Sequence, residues 1–258
     1  VHTSKIEWVL NPDNKTLGKI WNPITGCLNG CEYCYAHRLA NGRLKQTYLA
    51  NKNIANVIQN STSEVMKGLA DPFYPRFWPE RLLEPTDNQR PRGIFVCDMS
   101  DLFGIDIPTE WTELVMLQIK RCPQHRFYLL TKQSQNLIKW SPFPDNVYLG
   151  VSATNPTMFY SAVYYLKDVQ SKVKYISFEP LLQSLRTDRQ WKERLLYWLK
   201  TAGIDWVIIG GQTNPTVYPK IEWVNEIIEA ADKVSIPVFQ KDNLKPLLGD
   251  NLRQELPE

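Results

Sequence analysis

The chain has 258 residues, 43% hydrophobic and 22% charged, with 30 basic against 27 acidic side chains for a formal net charge of +3. These proportions exclude disorder, collagen-like sequence and a long coiled coil, and no apolar run approaches the roughly 20 residues of a membrane span. No charged and apolar leader pattern opens the sequence, so the expectation is a soluble cytoplasmic chain folded as one domain over residues 1–258.

In chain order, a first strand is expected over 19–22, leading into a cysteine-rich loop. Residues 45–92 then break the pattern: polar over 51–63, dense in proline and aromatics over 71–81, with a short helix over 63–69. So long a connection reads as an insertion, a lid over the fold. Beyond it, strands are expected at 93–98, 127–131, 147–151, 173–178, 205–210 and 237–240. Their near-continuous hydrophobicity suits parallel strands covered on both faces. Helices are expected over 109–121, 157–166 and 188–200. Another follows at Ile221, Val224, Ile227, Ile228 and Ala231, which fall on one stripe. Strand–helix alternation with short connections argues a parallel α/β fold wound like a barrel.

The five cysteines carry the chemistry. Cys97 and Cys122 stand alone, and isolated cysteines usually pack as small hydrophobes. The other three fall within eight residues: Cys27-Leu28-Asn29-Gly30-Cys31-Glu32-Tyr33-Cys34. An odd count argues against a disulfide framework, and three thiolates on one loop make a soft-metal chelate. His37 offers a fourth ligand for a Cys3His zinc site, but such sites usually pair two knuckles distant in sequence. A [4Fe–4S] cluster normally takes four cysteines. With three, one iron stays open for chemistry.

The spacing Cys27-x3-Cys31-x2-Cys34, with Tyr33 before the last cysteine, resembles the signature of the radical S-adenosylmethionine (SAM) enzymes. Ile6-Glu7-Trp8, Trp21-Asn22-Pro23, Met99-Ser100-Asp101-Leu102-Phe103, Leu130-Thr131-Lys132, Leu149-Gly150-Val151-Ser152, Phe178-Glu179-Pro180-Leu181-Leu182 and Trp206 to Gly211 extend it. Together they resemble a phage-associated three-cysteine family of that superfamily, distantly similar to spore photoproduct lyase, a DNA-repair enzyme. The family often carries Gly-Gly-Glu-Ser-Gly after the sixth strand, where this chain has Gly210-Gly211-Gln212-Thr213-Asn214.

The resemblance implies a partial (β/α)6 barrel of parallel strands, a [4Fe–4S] cluster on Cys27, Cys31 and Cys34, and SAM chelated at the open iron. It implies SAM contacts at Tyr33, Ser100, Asp101, Ser152, Asn155, Glu179, Gly210, Gly211 and Gln212. The implied reaction is reductive cleavage of SAM to a 5′-deoxyadenosyl radical that takes hydrogen from a substrate, with a flavodoxin- or ferredoxin-like electron donor as partner. Cys97, at a strand end, is a candidate hydrogen donor. Arg76, Trp78 and Arg81 mix cations with stacking surfaces, and with Lys132 and Lys241 they point to a nucleic-acid substrate. Two other readings stay open at this point: an iron–sulfur electron-transfer or regulatory protein that leaves SAM intact, and a zinc-stabilised nucleic-acid-binding module.

Overall fold

The computed structural model describes residues 2–56, 59–87 and 89–258. It is an α/β fold whose central sheet has eight mostly parallel strands. The chain divides into two compact units, one of residues 1–5 and 9–129, the other of residues 6–8 and 130–258.

The first unit begins with β1 (His2–Thr3), which pairs antiparallel with β2 (Lys19–Trp21). Next come β3 (Ile24–Thr25), α1 (Tyr35–Asn41), α2 (Lys45–Ala50), α3 (Thr62–Ala70) and β4 (Arg76–Phe77). Then follow β5 (Gly93–Val96), α4 (Thr109–Arg121) and β6 (Arg126–Thr131), whose last two residues count with the second unit. β2 pairs parallel with β5, and β5 with β6. Strand β3 pairs antiparallel with β4, so the 45–92 insertion folds back beside the start of the cysteine loop. Its helix α3 opens on a full capping box, with Ser61 and Glu64 each accepting from the other's backbone N–H. In the core of this unit Trp21 is fully buried with Phe127, the ring centroids 6.2 Å apart.

The second unit comprises β7 (Val147–Ser152), α5 (Pro156–Leu166), β8 (Val173–Phe178), α6 (Trp191–Thr201), β9 (Trp206–Ile209), α7 (Ile221–Lys233), β10 (Val238–Gln240) and the short α8 (Lys245–Leu248). Strands β7 to β10 pair in sequence order, all parallel. Trp8, Tyr175 and Trp206 form an edge-to-face cluster with centroids 5.6–5.9 Å apart, and all three are buried. Burying each such ring stabilises the fold by roughly 1.5–3 kcal/mol. Tyr175 sits directly over Gly150, where an added Cβ would stand 2.2 Å from the ring. Only glycine fits under it.

The expected strands and helices lie within a few residues of their observed bounds. The elements not foreseen include the antiparallel β1–β2 and β3–β4 pairs, the helices α1, α2 and α8, and a 3-10 turn over Ser134–Trp140 between β6 and β7. Among the described residues no helix is long and apolar enough to cross a membrane.

Candidate functional site

The cysteine loop leaves β3 at Gly26, which adopts φ +84°. A Cβ there would meet the carbonyl oxygens of Tyr74 and Phe73 at 2.4 and 2.6 Å, so the position requires glycine on both counts. The Gly26 N–H donates to Met99 O, and the Cys27 N–H to Phe73 O, each at 2.9 Å. Gly30, at φ +67°, turns the chain between Cys27 and Cys31. Two backbone N–H groups then aim at sulfur, Asn29 at Cys27 Sγ (3.4 Å) and His37 at Cys34 Sγ (3.3 Å). The second of these makes Cys34 the N-cap of α1.

The segment after β5 holds this loop from the other side. Ser100 Oγ donates to Gly26 O at 2.5 Å, and Asp101 accepts from Asn29 Nδ2 at 2.9 Å. Asp98 Oδ1 accepts from Asn22 Nδ2 at 2.6 Å, while Tyr35, directly after Cys34, donates its hydroxyl to Asp98 O at 2.6 Å. Burial pushes the Asp98 carboxyl up, against hydrogen bonds from Asn22 and Tyr35 that pull it down. Ser100 and Asp101, expected to contact SAM, thus have their side chains engaged in fastening the cysteine loop. Cys97 lies at the end of β5 at φ +60°, buried, and burial drives its thiol pKa far up. It stays a neutral thiol.

Cys27, Cys31 and Cys34 form no disulfide and are half-exposed, the exposure a metal group would need to reach them. His37 turns elsewhere: its ring stands edge-on to Phe73 at 5.3 Å, and its Nε2 lies 3.2 Å from Asn41 Nδ2. Among the described residues no three His, Cys, Asp or Glu side chains gather closely enough to hold a single metal ion. A cubane cluster has a different requirement, because each thiolate binds a separate iron and the sulfurs need not converge on one point. Three half-exposed thiols on a pinned loop, two of them facing backbone N–H donors, are a donor set that fits such a cluster.

The insertion supports the loop from behind. Ala36 and Ala40 of α1, Tyr48, Phe73, Trp78 and Met99 form a buried cluster with Cys27 and Cys34 packed on it. Trp78 Nε1 donates to Thr25 Oγ1 at 2.7 Å, and the Arg81 guanidinium lies 3.8 Å over the Trp78 ring. Arg76 has no exposed surface and donates to the carbonyls of Asn51, Gly68, Leu69, Asp71 and Tyr74. The expectation that Arg76 and Trp78 meet a substrate is corrected: both are enclosed, each tied to the protein's own polar atoms. Arg81 also donates to Asn22 O at 3.3 Å.

In the second unit the remaining candidates lie at the ends of the strands. Ser152 is buried, and Asn155 caps α5 through an N–H from Met158 at 3.0 Å. Gly210 is followed by Gly211, whose N–H and C=O both bond the Asn243 amide, at 3.1 and 2.9 Å. Gln212 bridges to Val217, and Lys132 is half-buried beyond β6. Tyr33 is half-buried within the cysteine loop of the first unit. Lys241 forms an ion pair with Glu179 and a second with Glu7 at 3.5 Å. Sequence reasoning noted Glu7 only within Ile6-Glu7-Trp8, because a lone acidic residue beside a tryptophan carries no signal of a partner more than 200 positions away.

A family model described as a protein of unknown function, DUF5131, matches residues 3–245. The chain belongs to this family. No curated protein matches it. Among solved structures, spore photoproduct lyase complexed with dinucleoside spore photoproduct is similar, with a TM-score of 0.52 and 12% identity over 85% of this chain and 74% of that one. A mutant of the same lyase matches 93% of this chain and 79% of its own at a TM-score of 0.49 and 12% identity. Another, with bound AdoMet and dinucleoside spore photoproduct, gives 0.47 and 11% over 87% and 75%. At such identity the first likeness shows a shared fold.

Proposed function

We propose that this chain is a radical SAM enzyme. The observation that carries the reading is the loop from Cys27 to Cys34: three half-exposed cysteines outside any disulfide, with backbone N–H groups aimed at two of their sulfurs. The fold shared with spore photoproduct lyase supports it. A bound [4Fe–4S] cluster supplies the electron that splits SAM into methionine and the 5′-deoxyadenosyl radical, the oxidant for a substrate C–H bond.

The protein's own residues do the rest. Cys27, Cys31 and Cys34 would hold three irons as thiolates. The Asn29 and His37 N–H groups, aimed at two of those sulfurs, offset part of their negative charge. Asp98, Ser100 and Asp101 fix the loop's position, and Phe73 and Trp78 back it with an apolar wall that excludes water. An external one-electron donor of the flavodoxin or ferredoxin kind would serve as reductant, and nucleic acid is the proposed substrate class.

The test is spectroscopic. Anaerobic reconstitution with iron and sulfide should give about four irons per chain, with charge-transfer absorbance that bleaches on reduction. SAM should alter the electron paramagnetic resonance of the reduced protein. Cys34→Ala should lose the absorbance. A colourless chain holding zinc would overturn the reading.

A further inference from the structure

The helical pair that follows the cysteine loop carries charge of one sign. From Tyr33 to Ser63 the sequence has no aspartate or glutamate, and Arg38, Arg43, Lys45 and Lys52 fall within that stretch. These cations exceed the net +3 of the whole chain, so the rest of it taken together is slightly acidic. Cations at the surface of the second unit have carboxylates beside them: Lys167 pairs with Asp168, Lys192 with Glu229 and Arg194 with Asp188. Among the described residues Arg43 and Lys45 have no such partner.

The placement of the pair is set by the cysteines. Helix α1 starts at Cys34, its N-cap, and extends about 10 Å before the turn into α2. Both helices pack on the apolar cluster that backs the thiols: Ala36, Ala40 and Tyr48 belong to it, and Leu39 and Leu44 lie against it, as do Cys27 and Cys34. Arg43 and Lys45 are exposed. Tyr35 is 43% exposed, yet its hydroxyl donates to Asp98 O at 2.6 Å, so the ring is held in place one residue after Cys34. Arg38, one turn on, lies on the same side of α1. A fixed ring among cations needs little ordering when a partner binds.

An electron must enter close to the thiols, because transfer weakens steeply with distance, and this face adjoins them. Its charge steers and orients an acidic partner. Single-stranded nucleic acid is held on successive stacking rings, but Tyr48 is buried, which leaves Tyr35 as the exposed tyrosine of α1 and α2. We propose that the α1–α2 face, centred on Tyr35 with Arg38, Arg43 and Lys45, docks an acidic one-electron carrier protein. The inference rests on the proposed function: the carrier gives one electron to the group held on the three thiols and is itself oxidised by one, with no bond made or broken and no proton moved.

The experiment measures binding of an acidic flavodoxin to the full chain, both without a cluster and after anaerobic reconstitution. Flavodoxin should bind in both states and weaken about tenfold between low and physiological ionic strength. Arg43→Glu with Lys45→Glu should weaken binding about tenfold or more. Both positions are exposed, and a glutamate at the first residue of α2 suits the helix dipole, so the fold should survive. Dithionite, which needs no docking, should bleach the reconstituted variant as fast as the wild type, while reduced flavodoxin should bleach it more slowly. Absence of flavodoxin binding to a wild-type chain that takes up iron would overturn this inference alone, as would unchanged binding in the folded variant. Failure to take up iron would overturn the proposed function and this inference with it. Binding of oligodeoxythymidine that the variant loses, with no binding of flavodoxin, would give the face to nucleic acid and overturn the proposal.

Discussion

Asp101, five residues past the end of β5, accepts a hydrogen bond from Asn29 at 2.9 Å, and Asn29 lies between two of the three loop cysteines. A carboxylate far along the chain thereby sets the position of the thiol-bearing loop. Asp98 does the same at the other end through Tyr35. Asp101→Ala should cost about 0.5–1.5 kcal/mol, the range for loss of one part-buried hydrogen bond. It should also speed alkylation of Cys27, Cys31 and Cys34 in the cluster-free chain. Denaturant melts and thiol-labelling rates check both.

Arg76 is the least replaceable side chain of the insertion. Its guanidinium has no exposed surface and serves five carbonyls. Arg76→Met fills the space but leaves those oxygens without their donor, and a loss of about 3–5 kcal/mol is expected. Lys would recover little, because one ammonium cannot reproduce the planar fork. Equilibrium unfolding of both variants separates charge from geometry.

Gly26→Ala should impair the site before it impairs the fold. Its positive φ and the 2.4 Å approach to Tyr74 O force the chain to shift just ahead of Cys27. A penalty of about 1–3 kcal/mol is expected. Reconstituted iron content should fall by more than the melting temperature alone explains.

Asp98 gives the wild-type chain a pH signature. Its carboxyl titrates above its ordinary value of 3.8 in the folded state because burial disfavours the charge. The folded state therefore holds the proton longer, and stability falls as pH rises from about 3.8 through the folded value, then levels off. Asp98→Asn removes that slope while keeping an oxygen to accept from Tyr35. Unfolding free energies between acid and neutral pH should converge in favour of the variant as pH rises.

Much of the scaffold was legible from local pattern. Thr109–Arg121 and Val173–Phe178 have the bounds expected of them, because an amphipathic stripe after Pro108 and a β-branched run are local signals. The cysteine spacing was equally local. What sequence could not show is which polar residues are already occupied. Arg76 and Trp78 look like a nucleic-acid surface in one dimension, yet their partners, from Thr25 to Tyr74, enclose them. Glu7 needed the fold to bring it to Lys241. Ser100 and Asp101 follow β5 closely in sequence, but their hydrogen bonds to Gly26 and Asn29 depend on a loop some 70 positions earlier.

The most direct test of the central claim is chemical. The reconstituted chain, reduced under anaerobic conditions and given SAM, is assayed for 5′-deoxyadenosine by chromatography, beside Cys31→Ala treated identically. The expected result is 5′-deoxyadenosine from the wild type and none from the variant. An iron–sulfur absorbance with no 5′-deoxyadenosine, even with nucleic acid supplied, would contradict the account and favour a redox or regulatory protein.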